Sequence, residues 1–234
     1  MRKPLTIAVA QPPVVAHDVE ANARAHAEAV RSAAARVVVF PELSITGYEL
    51  DAEAIRADDA RLGSIREACA ETGSIALVGA PVEGDDGQVH IAMLAVDGSG
   101  ARVAYRKMYL GTTEAERFSP GPDPAAIDVD GWRLGLGICK DTGVPEHAAA
   151  TAALGIDAYV AGTVKHHHEA TLQDERACRI ATEHGVWVAI ASMAGSTGAG
   201  YARAAGRSSI WRGDGVPVSR AGTDVGEIVR ASLT

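Results

Sequence analysis

Positive charge is in short supply in this sequence. Its 22 lysines and arginines face 30 aspartates and glutamates, which leaves a formal net charge of −8 at pH 7. Nucleic acid and anionic membrane surfaces both require a basic face, so neither is an expected partner. No apolar run is long enough to span a bilayer. Met1 to Pro4 lead straight into an apolar, strand-like segment, so no signal peptide is expected. Cysteine is scarce as well. Cys69, Cys139 and Cys178 are odd in number and form no CxxC pair. This argues against a disulfide framework and a zinc site, and it fits a reducing, cytoplasmic setting. Lysine is rarer than it first looks. Only Lys3, Lys107, Lys140 and Lys165 occur among the 22 basic residues, the other 18 being arginine. A lysine in a chemically suggestive place therefore carries weight, because lysine, unlike arginine, can lose its proton when desolvated.

What is present is an ordinary globular balance. The 234 residues are 47% hydrophobic and 22% charged, enough for one domain spanning 1–234 with a sizeable core. Short β-like runs alternate with helical stretches. Strands are expected at 5–10, 37–40, 75–79, 126–129, 132–138, 158–161 and 186–192, with a hairpin over 89–105 turned at 97–100 and closing strands near 208–211, 216–219 and 226–232. Helices are expected at 18–34, capped by Asp18, and at 52–70, 145–154 and 168–184. Several strands are apolar at nearly every residue, which means burial on both faces. The pattern is that of an α/β sheet covered by helices.

Three chemically useful residues each come directly after a strand. Val37-Val38-Val39-Phe40-Pro41-Glu42 delivers a carboxylate, Tyr105-Arg106-Lys107 an amine, and Leu134 to Ile138 a thiol at Cys139. Sites in α/β sheets gather beyond strand ends, so the three can converge. A carboxylate can take the proton of a thiol and later return it to a leaving amine. A lysine can steady both the thiolate and the oxyanion its attack creates, with the Lys140 backbone N–H as a second donor. Each residue alone has a plain structural explanation: a buried small side chain for Cys139, a solvated one for Glu42.

The local contexts are more specific. Phe40-Pro41-Glu42-Leu43-Ser44-Ile45-Thr46-Gly47-Tyr48 resembles the FPELxxTGY segment of the nitrilase-like carbon–nitrogen hydrolases. Tyr105 to Leu110 is similar to their YRKxHL segment, with Tyr109 where His is common. Gly135 to Asp141, with Pro145-Glu146 after it, resembles GxxICxDxxxPE. The resemblance extends over most of the chain, through Ala10-Gln11, Gly155-Ile156-Asp157, Ala181 to Gly185 and Gly206 to Ile210.

The resemblance implies a four-layer αββα sandwich and a homodimer or larger symmetric oligomer. It implies that Glu42 is general base and acid, Lys107 the oxyanion stabiliser and Cys139 the nucleophile of a small-molecule amide hydrolase that needs no cofactor or metal. A second glutamate is implied at Glu114, orienting Lys107 or the substrate, with Glu116 as the fallback. Departures fall at Lys140, where Tyr, Trp or Asn is common, and at Gly162-Thr163, where Pro is usual, so both belong to an altered substrate pocket. Members acting on carboxylate-bearing amides often carry Arg three or four residues after the cysteine. Thr142 and Gly143 stand there, so neutral or small amides are expected, unless Lys140, Lys165 or the histidines supply the charge. Lys140-Asp141 after the cysteine, in place of Trp-Glu, favours amides over nitriles. A true nitrilase and a non-catalytic binding protein on the same fold are the alternatives. His166-His167-His168-Glu169 invites a metal reading, but neighbouring side chains diverge and cannot all face one ion.

Overall fold

The computed structural model describes residues 2–84 and 87–234; Met1, at the head of the segment considered for a signal peptide, lies outside them. The first half of the chain runs β1 (Leu5–Ala10), α1 (Val19–Ala33), β2 (Val37–Val39), α2 (Gly63–Thr72), β3 (Ile75–Glu83), β4 (Val89–Asp97) and β5 (Gly100–Arg106). The second runs β6 (Ala125–Val129), β7 (Trp132–Ile138), α3 (Pro145–Ala152), β8 (Ala158–Thr163), α4 (Ala170–His184) and β9 (Trp187–Ser192). Five short strands close it: β10 (Ala194–Gly195), β11 (Ala204–Ala205), β12 (Ser209–Trp211), β13 (Pro217–Arg220) and β14 (Ile228–Leu233).

Two six-stranded sheets result, ordered β14-β1-β2-β3-β4-β5 and β13-β12-β9-β8-β7-β6. Each has three parallel strands at its centre. Ile7 pairs with Val37 and Val37 with Ile75 in the first sheet; Leu134 pairs with Ala158 and Ala158 with Trp187 in the second. Parallel neighbours need long crossovers, and a helix lies within each of the four. All parallel strands of a sheet point the same way, so the residues just past their ends collect along one edge.

Three apolar clusters define the layers. Ile7, Val9 and Leu77 of one sheet meet Leu134, Leu136 and Val160 of the other. Ala23, Val30 and Ile65 of α1 and α2 cover the outer face of the first sheet with Val38 and Val78. Ala177 and Ile180 of α4 cover the second with Tyr159 and Ile190. The order is helix, sheet, sheet, helix. Strands sandwiched this way are buried on both sides, which is why β2 is three valines.

Local chemistry accounts for most element ends. The Asp18 carboxylate accepts the Ala21 N–H and starts α1. Asp130 and Gly131, at φ +51° and +84°, make the two-residue turn between β6 and β7. The helix expected over 52–70 is half wrong. Helix α2 begins only at Gly63, after a 3₁₀ turn over Ala60–Leu62. The Ala-Glu-Ala-Ile-Arg-Ala run has good helix formers, but Ile55 instead bridges Val82 and donates its N–H to the Pro81 carbonyl at 2.9 Å. Extending the edge of β3 and burying Ile55 overrides local propensity.

Candidate active site

Glu42 leaves β2 through Phe40 and Pro41, and the backbone there passes very close to both sheets. A Cβ on Gly79 of β3 would lie 2.3 Å from the Pro41 carbonyl oxygen, and one on Gly162 of β8 would lie 2.6 Å from that of Phe40. Only glycine at both positions lets the Glu42 loop thread between them. This is a structural reason for Gly162, which departs from the family pattern.

Lys107, just past β5, is 1% exposed. Its Nζ donates to Glu42 Oε1 at 2.5 Å and to Glu114 Oε1 and Oε2 at 2.6 and 2.8 Å. Glu114 is buried in a 3₁₀ turn and also accepts the Gly111 N–H. Glu116, on the same turn, is exposed. The Tyr48 hydroxyl donates to Glu114 Oε1.

Cys139 ends β7 and opens a 3₁₀ turn over Cys139–Gly143 with φ +43°, a strained value for a residue with a side chain. The turn is held by Thr142 Oγ1 donating to the Cys139 carbonyl at 2.7 Å. It is also held by Asp141, whose Oδ2 accepts the Ile138 N–H at 2.9 Å. Asp141 Oδ1 accepts the Tyr109 N–H at 2.9 Å, and Tyr105 donates to Oδ2. Below them lies His147, with Nε2 2.8 Å from the Tyr105 hydroxyl and Nδ1 3.0 Å from that of Tyr159. With Tyr105 donating to Asp141, the consistent assignment is Tyr159 O–H to Nδ1 and Nε2–H to Tyr105. Burial holds His147 below its ordinary range, against the pull of Asp141, so the ring is neutral.

The electrostatics follow from burial. Burial raises the Glu42 carboxyl to about 7; Lys107 pulls it down and the Glu114 charge adds to the rise. Burial pushes Lys107 down, but Glu42, Cys139 and Glu114 outweigh it and hold the ammonium above its usual range. Burial likewise pushes Glu114 up, and Lys107 overcomes it, so this carboxyl sits low. Burial pushes the Cys139 thiol up to about 11, with Glu42 adding to the rise. The site at neutral pH is thus an ion pair of Lys107 and Glu114, a neutral thiol, and a carboxyl poised between its two forms. The thiol donates to the Val164 carbonyl at 3.3 Å, and buried Glu42 Oε2 has no hydrogen-bond partner among the described residues.

Glu42, Lys107, Glu114 and Cys139, singled out in the sequence, therefore stand together. Lys140 points elsewhere: its Nζ donates to the Leu110 carbonyl at 2.6 Å on the surface, and only its backbone belongs to the turn. The Thr163 hydroxyl is spent on Gln173 Oε1 at 2.9 Å, and the segment reaches the nucleophile through Val164. Sequence reasoning misses Tyr201. Burial raises its hydroxyl, as do the charges of Cys139 and Glu42, which places it beside the site. Its ring stands edge-on to Tyr48 at 5.2 Å and stacks on His166 at 4.2 Å. It lies in a loop of Gly, Ser, Thr and Ala with no periodicity to flag it.

The profile of the carbon–nitrogen hydrolase family matches residues 6–234. A hydrolase encoded in the pqqF 5′ region of Pseudomonas protegens is 31% identical over 97% of this chain and 82% of its own. Among solved structures, a member of branch 10 of the nitrilase superfamily from Saccharomyces cerevisiae superposes with a TM-score of 0.88. It has 23% identity, over 99% of this chain and 90% of that one. The NitN amidase of Nesterenkonia sp. AN1 superposes with a TM-score of 0.87 and 24% identity, over 98% and 93%. With its two-sheet sandwich and a match along nearly its whole length, the chain belongs to the carbon–nitrogen hydrolase family.

Proposed function

We propose that this protein hydrolyses an amide bond of a small molecule through a thioester on Cys139. One observation carries the reading: a carboxyl held near pKa 7 with a free oxygen, Glu42 Oε2, lies beside a buried thiol and an ammonium. A group with that pKa can both take and give a proton at neutral pH.

The geometry is compatible with the following steps. The thiol turns its S–H from the Val164 carbonyl to Glu42 Oε2, and the sulfur attacks the amide carbon as the proton moves to Glu42. The carbonyl oxygen, now negative, is held by the Lys107 ammonium and the Lys140 N–H in the first turn after the nucleophile, where helix donors lack internal partners. Glu42 returns its proton to the departing nitrogen, the C–N bond breaks, and the acyl group remains on sulfur. Glu42 then deprotonates a water that attacks the thioester; the acid leaves and the proton goes back to sulfur. Glu114 keeps Lys107 charged and in place throughout.

Two relatives support amide chemistry. An (R)-stereoselective amidase of Pseudomonas is 28% identical over 53% of this chain and 46% of its own. A cysteine-to-alanine mutant of the Nesterenkonia sp. AN1 amidase has been observed in complex with an amide, butyramide. The test is ammonia release by the purified protein from primary amides and their matching nitriles. Release from at least one amide and little from its nitrile is expected. Faster release from nitriles would make it a nitrilase, and release from neither would favour a non-catalytic binding protein.

A further inference from the structure

Glu42 stands in a loop, 40–46, that belongs to no strand or helix. Gly79 and Gly162 leave room for its backbone on one side. The other side faces α1. There the His26 ring is fully buried, and it touches the loop both before and after Glu42. Two residues before the glutamate, the Phe40 ring lies 4.2 Å from the His26 ring, centre to centre. Two residues after it, the Ser44 hydroxyl lies 2.8 Å from His26 Nε2. None of these three side chains takes part in the reaction steps.

The partners of His26 fix its proton. Nδ1 lies 2.7 Å from the Asn22 carbonyl, one turn earlier on α1, and a carbonyl only accepts. Nδ1 therefore carries the proton, and Nε2 accepts from the Ser44 hydroxyl. Burial pushes the ring down to about 4, so it stays neutral and keeps this acceptor at neutral pH. Asn22 adds a second tie from α1, its Nδ2 donating to the Ile45 carbonyl at 3.0 Å. These ties work against strain. Leu43, between Glu42 and Ser44, has φ +50°, a conformation that leucine keeps only where its surroundings enforce it. The backbone N–H of Ser44 reaches the Pro41 carbonyl only at 3.3 Å, so its hydroxyl is the firmer hold.

We infer that His26 is a positioning residue for Glu42: by gripping Phe40 and Ser44 it sets where the carboxyl of the residue midway between them stands. The inference rests on the reading of Glu42 as the group that takes the Cys139 proton. A helix of the outer layer thereby aims the proton carrier of a site built between the two sheets. A displacement of about 1 Å can cost roughly 100-fold in rate, so one buried hydrogen bond is enough to matter.

The test needs no amide turnover. Iodoacetamide alkylates Cys139: the sulfur bonds to the reagent's carbon, iodide leaves, and Glu42 takes the thiol proton. Intact mass gives the rate at pH 7, where Glu42 is poised between its two forms. Ser44→Ala should slow alkylation by about tenfold. In a Glu42→Gln background, already slow, the same substitution should add nothing, because the hydroxyl acts only through Glu42. His26→Phe keeps a ring against Phe40 and removes the acceptor. Paired with Ser44→Ala it strands no polar side chain, so the melting temperature should recover while the rate stays low. A rate that recovers with the melting temperature would make His26 purely structural and overturn the inference. So would an unchanged rate in Ser44→Ala, or equal slowing with and without Glu42. On any amide that is turned over, Ser44→Ala should lower kcat by about tenfold and leave KM unchanged; a raised KM with unchanged kcat overturns it. Turnover of no amide alongside the expected alkylation pattern would remove the amidase reading and leave the positioning role standing.

Discussion

The Tyr105 hydroxyl donates to Asp141 Oδ2 at 2.7 Å, and this bond joins the strand that carries the lysine to the turn that carries the cysteine. Tyr105 stands two residues before Lys107 and Asp141 two after Cys139. The same carboxylate accepts backbone N–H groups from Ile138 and Tyr109, one in each segment. Asp141→Asn keeps the size but weakens three charge-assisted bonds. It should lower kcat/KM by roughly 10- to 100-fold, as expected for the loss of a charged hydrogen bond of about 1.5–3 kcal/mol. Tyr105→Phe should cost less. Steady-state kinetics on any turned-over amide, with thermal melting of each variant, checks both; wild-type kinetics in Asp141→Asn would refute the coupling.

Cys139→Ser and Cys139→Ala should abolish turnover and preserve the fold. Intact-mass spectra of wild type with a slow substrate should show one acyl adduct that digestion maps to Cys139. Cys69 is buried on α2, where burial pushes its thiol up to about 11, and Cys178 is half-buried on α4. An adduct on either would sink the assignment.

Glu42→Gln and Lys107→Ala should each lower kcat by several orders of magnitude, and the double variant should lose far less than the product of the two. Their stabilities should differ. Glu42→Gln leaves Lys107 paired with Glu114, whereas Lys107→Ala leaves two buried carboxylates facing each other, a loss of about 3–5 kcal/mol. Denaturant melts separate that loss from the kinetic one, and simply multiplicative rate losses would argue against a concerted unit.

Glu114→Gln should move the pH profile. In wild type, kcat/KM rises with pH as Glu42 ionises, with a midpoint near 7. The Glu114 charge contributes to that raised value, so removing it stabilises ionised Glu42, and the acidic limb should shift to lower pH. A lower rate with an unmoved limb would leave Glu114 a purely structural role.

Gly162→Ala should inactivate the protein with little loss of secondary structure. The added methyl meets the Phe40 and Pro41 backbone and displaces Glu42. Gly155→Ala, where no atom lies within 4 Å of the new Cβ but φ is +74°, is the control for mere glycine loss. Circular dichroism and kinetics on both variants decide, and an active Gly162→Ala would contradict the clamp.

The strands and their chemistry are legible because strands buried on both faces are written in continuous apolar residues, and a polar residue at the end of such a run stands out. Val37 to Glu42 and Leu134 to Cys139 are of this kind. The segment 52–59 is not legible, since a tertiary bridge at Ile55 decides it. Nor is the pocket wall. Tyr201 sits in an aperiodic loop, and the Val164 contact is made by a carbonyl that every residue possesses. Thr163 reads as pocket-lining because of its unusual neighbour, but its hydroxyl turns to Gln173.

The first sheet brings Glu42 and Lys107 and the second brings Cys139, and among the described residues no strand ladder joins the two across the central cluster. Either half of the chain, separated, would hold an acid–base pair without a nucleophile or a nucleophile without its base. Thiol reactivity and turnover therefore report sheet docking rather than strand formation. In rising denaturant, catalysis should fade while each sheet still keeps its hydrogen bonds, and two complementary fragments should stay silent until mixed.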